Sequence, residues 1–180
     1  MSKRLTAQDW IAFALKTLAQ DGFEALKADV LARKLGVSRG SFYWHFAALG
    51  AFHAQVIAHW RERATDAIIA DLERHRPGVA RLDVLLRRAF AHGAGVEVRM
   101  RAWADHNAAA ARALRDIDRR RVAYIRRCLV DAGVTPAQAA TRAQVLYWAY
   151  LGAALSRVRL TRRPLKRLVA ELKRLGVGRA

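Results

Sequence analysis

The chain is punctuated for helices and for little else. Pro stands only at positions 77, 136 and 164, while Ala, Leu and Arg dominate. No run of alternating β-branched residues appears, so there is no pattern from which strands would form. An all-α fold follows. At 180 residues the chain is long enough to bury a core without disulfides or metal. The lone Cys128 excludes an internal disulfide framework and any Cys-based zinc site.

The local signals mark out the elements. Thr6 with Asp9 three residues on forms a capping pair, Ile11, Ala14, Leu15 and Leu18 make an apolar stripe, and Gly22 ends the first helix. A short helix over 28–35 stops at Gly36, and Ser38 caps a third that ends near Phe46. A long helix is expected over 49–75, broken by Pro77-Gly78, then one over 80–92 and a short one carrying Val96, Met100 and Trp103. Leu114, Ile117, Arg121, Tyr124, Ile125 and Cys128 mark another long helix, ended by Gly133. Thr135-Pro136-Ala137-Gln138 is a start signal, with Pro at the first helical position, for a helix ending near Arg157. A last helix follows Pro164 with Leu165, Leu168, Val169, Leu172 and Leu175 on one face. Nine helices fit this punctuation.

Charge narrows the partners. Thirty-three Lys and Arg against fifteen Asp and Glu give +18, so a polyanion comes first. The charge is unevenly spread: residues 1–47 carry only +3. Between Asp131 and Glu171 there is no acid, against Arg142, Arg157, Arg159, Arg162, Arg163, Lys166 and Arg167. That stretch is either a solvated Arg-rich face or a second anionic contact such as flanking DNA. The longest stretch free of Asp, Glu, Lys and Arg, 40–60, has the length of a membrane span but holds three His, a Gln, a Ser and two Gly. With no apolar signal core behind Met1, a cytoplasmic protein with no membrane partner is expected.

Function is concentrated in residues 28–46. Leu31, Ala32 and Leu35 face inward from one short helix, and Val37, Phe42 and Phe46 close the core from the next. Ala32 is small where the two helices cross, and Gly36 supplies the tight turn, which is helix-turn-helix logic. On the third helix Arg39 can reach guanine O6 and N7, Gly40 allows close approach to the groove, and Ser41 can read either base. Tyr43, Trp44 and His45 can donate to phosphates, plain core packing being the alternative for Tyr43 and Trp44.

The block Ala32, Gly36-Val37-Ser38 and Ser41-Phe42-Tyr43-Trp44-His45-Phe46, with Gly22-Phe23 after an amphipathic helix, resembles the TetR family of transcriptional regulators. The motif match covers residues 6–60. The resemblance implies a homodimeric, ligand-responsive protein that binds a double-stranded DNA operator, usually as a repressor. It also implies a DNA-binding domain over 1–47 and an effector-binding and dimerisation domain over 48–180. Two positions depart from the family pattern: Leu49 stands where members carry a phosphate-touching Lys, and Lys27 where they often place Thr. Lys27 can recover a phosphate contact by charge. The DNA-binding set is then Lys27, Ser38, Arg39, Gly40, Ser41, Tyr43, Trp44 and His45.

In the resembled family the middle helices line an effector pocket. Here they carry Phe90, Met100, Trp103, His106, Arg121, Tyr124, Tyr147 and Trp148. For each of these, ordinary core packing is the alternative. Arg121 interrupts an apolar stripe, so it snorkels, pairs with an acid, or meets an anionic effector. A small lipophilic ligand, aromatic or not and with or without an anionic group, suits this set better than a sugar or a bare cation. Ala139, Ala140, Ala143, Ala149, Gly152 and Ala153 give the penultimate helix a small-residue face, which with the last helix suits a dimer bundle. No His-x-x-x-His or Glu-x-x-His spacing points to a metal, no Gly-rich phosphate loop to a cofactor, and no Ser-His-Asp order to an enzyme. The rival reading is an effector-independent basic protein that coats nucleic acid.

Overall fold

A computed structural model of the chain describes residues 5–91, 95–156 and 161–178. The described residues are helical, without strands. In chain order the elements are α1 (Ala7–Asp21), a 3₁₀ turn (Phe23–Ala25), α2 (Ala28–Leu35), α3 (Arg39–His45), α4 (Leu49–Arg61) and a π turn (Glu62–Asp66). They continue with α5 (Ala67–Leu72), α6 (Val79–Ala91), α7 (Gly95–Ala104), α8 (Ala108–Asp131), α9 (Pro136–Leu155) and α10 (Arg162–Val177). With α4, the π turn and α5 taken as the one long helix expected from sequence, the described residues hold nine helices. The interruption by a π turn, and an end at Leu72 rather than near His75, carry no signal in the sequence. The last helix starts at Arg162, before Pro164 rather than after it, because Pro tolerates the first turn, where its missing N–H costs nothing. The expected helix ends near His92 and Arg157, and the expected cation Arg159, lie outside the described residues.

Several boundaries are set by local chemistry. The Thr6 hydroxyl accepts from the Asp9 N–H at 3.2 Å, and the Asp9 carboxylate accepts from the Thr6 N–H at 2.8 Å, a complete capping box. At the end of α2, Gly36 is left-handed (φ 68°), which a Cβ would disfavour. The Val37 N–H then reaches back to the Ala32 carbonyl at 3.0 Å, and Gly36 to Arg33 at 3.2 Å, closing a Schellman turn. Gly133 repeats this arrangement at the end of α8 (φ 92°), with Val134 bonded to Leu129 at 3.0 Å. Ser38 and Thr135 occupy N-cap positions, but neither side chain makes a capping hydrogen bond.

The chain forms two compact units. Met1–Arg63 and Gly95–Arg115 make the first; Ala64–Ala94 and Asp116–Ala180 make the second. The core of the first is aromatic. Phe42 meets Trp10 at 5.4 Å and Phe52 at 5.0 Å edge-on and lies tilted against Phe46 at 5.1 Å, and all four are buried. α7 packs on α1, and its Trp103 stacks on Phe23 at 4.8 Å and meets His53 edge-on at 5.2 Å. The second unit is aliphatic: Leu72, Leu82, Leu86, Leu129, Leu146, Val169 and Leu172 surround the small Ala139 and Ala143. Gly176 of α10 lets the helix approach closely, since a Cβ there would stand 3.2 Å from a Leu146 methyl. Cys128 is buried in this core, and burial pushes its thiol up to about 11. It is a small packing residue, largely un-ionised at neutral pH.

The four-ring cluster is the least replaceable part of the first unit. Phe52→Ala should cost about 3–5 kcal/mol. Urea unfolding followed by tryptophan fluorescence measures this; a cost below about 1 kcal/mol would mean the cluster does not hold the unit together.

Candidate nucleic-acid interface

α3 has seven residues, too few to be stable alone in water. It is held by Phe42 and Phe46, which sink into the aromatic core, and that registry decides what the opposite face presents. Ser38, Arg39, Gly40, Tyr43 and Trp44 are exposed, while Ser41 and His45 are half-buried. Tyr43 and Trp44 are 44% and 67% exposed, so the core-packing alternative does not hold for either. The Ser38 hydroxyl, with no capping bond to make, is left at the exposed start of the helix.

Arg39 and Tyr43 form a unit one helical turn apart. The guanidinium donates through Nη2 to the Tyr43 hydroxyl at 3.1 Å and lies 5.4 Å from its ring centroid. That hydrogen bond raises the Arg39 pKa above its already high ordinary value. Tyr43 rests edge-on against Phe42 at 5.2 Å, which ties the pair to the buried core. An arginine held this way keeps its fork facing outward at reduced conformational cost. Trp44 meets the His45 ring at 4.7 Å, an aromatic ledge beside the Arg39–Tyr43 pair.

Lys27 sits at the N-cap of α2, exposed, in an ion pair with Glu24 at 3.3 Å. Both partners face water, so this pair is easily exchanged for a phosphate. Leu49 begins α4 half-buried, with no charge to offer. Lys34 is paired with Asp21 at 2.7 Å and Arg33 with Asp29 at 3.8 Å, so α2 presents cations tempered by acids.

The residues expected around an effector fall in both units. In the first, Met100 and Trp103 are fully buried and His106 is exposed beyond the end of α7. In the second, a polar and aromatic group forms where α8 meets α9. The Tyr147 hydroxyl donates to Asp118 at 2.6 Å, and burial followed by that carboxylate pushes the phenol pKa well up. Arg121 donates to the Thr65 hydroxyl at 3.1 Å and to the Ala64 carbonyl at 3.1 Å, and lies 5.7 Å from the Tyr150 ring centroid. Tyr150 also stacks near Tyr147 at 6.0 Å and meets Phe90 edge-on at 6.2 Å. Thr65, Asp118 and Tyr150 belong to this group and were not expected from sequence. An aromatic four residues beyond Leu146 on a helix carrying Tyr147 was the available signal for Tyr150.

Tyr124 lies with Cys128 in the aliphatic core, under the Arg127 guanidinium at 4.9 Å, and burial raises its pKa. Trp148 is 62% exposed on the outer side of α9. Among the described residues no group of three or more His, Cys, Asp or Glu could hold a metal ion, and no helix is long and apolar enough to cross a membrane.

Residues 11–48 match the family model described as bacterial regulatory proteins, tetR family. Residues 11–48 are thus similar to the N-terminal helix-turn-helix domain of that family. Comparison with curated proteins finds no match. Solved structures share the fold across nearly the whole chain. Reduced NemR of E. coli is 19% identical, covers 95% of this chain and 97% of its own, and has a TM-score of 0.77. A candidate fatty acid metabolism regulator of Clostridium perfringens is 16% identical, covers 93% and 96%, and has a TM-score of 0.71. GusR of Salmonella enterica is 16% identical, covers 94% of each chain and has a TM-score of 0.68. At these identities the likeness establishes the all-helical fold, with a helix-turn-helix domain followed by a helical domain.

The Arg39–Tyr43 pair defines a separable contribution. Arg39→Ala should cost about 1–3 kcal/mol on a preferred duplex and relax discrimination at one base pair per half-site. Lys27→Ala should weaken all duplexes alike. Selection of bound sequences from random duplex DNA, repeated with each variant, checks both; equal losses on preferred and scrambled duplexes for Arg39→Ala would remove it from base reading.

Proposed function

We propose that the protein is a homodimeric repressor that leaves a palindromic operator when a small lipophilic effector binds. The observation that carries the reading is the exposed surface of α3, where Arg39 and Tyr43 are hydrogen-bonded one turn apart above a buried aromatic anchor. The reading domain is 1–47, and 48–180 serves effector binding and dimerisation. Lys27, Ser38, Arg39, Gly40, Ser41, Tyr43, Trp44 and His45 contact DNA, the phosphates being taken by Lys27, Trp44 and His45. The protein has no catalytic role in this reading and works in the cytoplasm.

A two-fold dimer presents two copies of α3 to the two halves of a palindrome. Its interface is supported by α9, where Thr141, Val145, Trp148, Gly152 and Leu155 are all exposed at intervals of four and three residues. Val145, Trp148 and Leu155 are 50%, 62% and 54% exposed, a seam of apolar surface that water disfavours. On α10, Leu175 is 54% exposed and Leu168 is half-buried, while Val169 and Leu172 pack within the chain. The last two helices therefore have an inner face for the core and an outer face free for a second copy. Trp148 falls to this seam rather than to the effector.

The effector site centres on Arg121, Tyr147, Tyr150 and Phe90. A ligand with an aromatic or aliphatic body and an anionic group would exchange with the hydrogen bonds Arg121 now makes to Thr65 and Ala64. Release of DNA requires that this ligand favour the non-reading conformation; equal affinity for both shifts nothing. Trp103 is buried in the core of the first unit, so its fluorescence also reports on that unit's integrity.

Two measurements test these assignments. The double variant Val145→Glu, Trp148→Glu should be monomeric in sedimentation velocity with its helical content intact, and should lose operator affinity at least ten-fold. A soluble dimer with unchanged operator binding would remove the α9 seam from the interface. For the effector, a library of lipophilic acids, aromatics and cationic compounds is screened for loss of operator binding, with and without Arg121→Met. The variant should keep apo operator binding and lose the response to acids. A full response in the variant would take Arg121 out of the site, and no active compound at all would favour the effector-independent reading.

A further inference from the structure

The strongest unexplained feature is the cationic start of α10. Arg162, Arg163, Lys166 and Arg167 are all exposed, within two turns of one helix. No acid occurs between Asp131 and Glu171, and Glu171, one turn beyond Arg167, is paired with Arg174. Among the described residues, the ion pairs of α10 lie further along, from Lys173 to Asp83 at 2.9 Å and from Arg174 to Glu171. Arg142, the other described cation of the acid-free stretch, is spent inside the chain, donating to the Gly176 and Val177 carbonyls at 3.1 and 2.9 Å.

The position of these four side chains argues that they are not there for folding. Cations in the first turns of a helix oppose its dipole. At about 100° per residue they also fan over the side of α10 turned away from Leu168 and Leu175. They neither serve the core nor lie in the apolar seam assigned to the dimer. A dense field of one sign without counter-charge is suited to a partner with regularly spaced charges of the other sign.

We propose that this patch is a second, sequence-independent contact for the phosphate backbone of duplex DNA. The proposal goes beyond operator reading by α3 and does not need an effector. Charge complementarity selects the partner. The reading domain contributes only +3 of the +18, so its own hold on the phosphates is small for a DNA-binding protein. Counterion release at the patch supplies what the reading domain lacks. Arginine dominates the patch, and its planar fork matches phosphate oxygens better than a point charge does. The two contacts divide the labour, one selecting sequence and the other holding DNA of any sequence.

The test uses the full-length chain and a random-sequence duplex, with binding followed by fluorescence anisotropy over a salt series. The variant Arg162→Gln, Arg163→Gln, Lys166→Gln, Arg167→Gln should lose at least ten-fold in affinity at low salt. Its slope of log affinity against log salt should shrink by about 3–4 for each protomer whose patch touches the duplex, at roughly 0.9 per lost phosphate contact. A charge-matched control, Arg76→Gln, Arg112→Gln, Arg115→Gln, Arg126→Gln, removes four exposed cations elsewhere and should change the slope by less than one. Arg39→Ala should likewise leave the random-sequence slope nearly unchanged, so failure of α3 as a reader is distinguishable from failure of the patch. Circular dichroism confirms that each variant is folded, and the paired variant Arg162→Lys, Arg163→Lys, Arg167→Lys should restore most of the slope. Equal slope loss in the patch and control variants would reduce the effect to diffuse charge and overturn the proposal. So would binding of the wild type to phosphatidylglycerol vesicles through these four residues, with the duplex slope unaltered by their removal.

Discussion

A seven-residue helix cannot carry sequence information unless something else holds it still, and in this protein that something is a ring of four aromatics. Phe42 and Phe46, one turn apart on α3 and just beyond it, are fully buried against Trp10 and Phe52. Because a helix turns about 100° per residue, fixing Phe42 inward turns Tyr43 to the flank and Trp44 to the far side, while Arg39 stays exposed at the first position of the helix. The edge-on contact of Tyr43 with Phe42 and the hydrogen bond from Arg39 to Tyr43 extend this order to the surface. The proposed reading residues Arg39 and Tyr43 thus inherit their order from the core in two steps. Specificity from a base contact depends on such order, since a floppy guanidinium would meet right and wrong bases with similar ease.

The second unit solves a different problem, that of charged and polar groups at helix contacts. Arg121 sits half-buried where an aliphatic residue would continue the stripe of α8, and the π turn at Glu62–Asp66 supplies part of its partnership. Its bonds to the Thr65 hydroxyl and the Ala64 carbonyl take up a widened turn's polar groups. Tyr147 and Asp118 pair at the same place, buried enough that the phenol is strongly favoured in its neutral form. Such a network is costly to leave half satisfied. A ligand that displaced one member would have to replace the lost hydrogen bonds, which favours a ligand bearing an acceptor over a plain hydrocarbon.

How much of this could be read beforehand depended on the range of the interaction. The capping box at Thr6 and Asp9, the left-handed Gly36 and the Pro136 start are settled within a few residues, and each stands where its local chemistry put it. The exposure of Tyr43 and Trp44 was ambiguous, because an aromatic can face either way until its neighbours are known; the burial of Phe42 and Phe46 decided it. The π turn left no trace in sequence, since no residue type demands one. Tyr150, Asp118 and Thr65 escaped notice because their grouping with Arg121 joins segments more than fifty residues apart in the case of Thr65. Trp103 and Trp148 looked alike as aromatic members of middle helices, yet one is buried against Phe23 and the other faces water. Composition cannot separate two tryptophans; only packing does.

The charge distribution then has a physical logic of its own. A reading domain of +3 tempers its cations with acids: Lys27 faces Glu24, Arg33 faces Asp29 and Lys34 faces Asp21. That arrangement limits its attraction to arbitrary DNA, which raises the fraction of binding energy that depends on sequence. In the proposed division of labour a domain so tempered selects sequence while the hold on the phosphates comes from elsewhere, because phosphate contacts supply most of the affinity of proteins for DNA. Placing the bulk of the positive charge elsewhere in the chain keeps the two quantities separate. Affinity can then be set by cations that never touch a base, without eroding the selectivity of the few side chains that do.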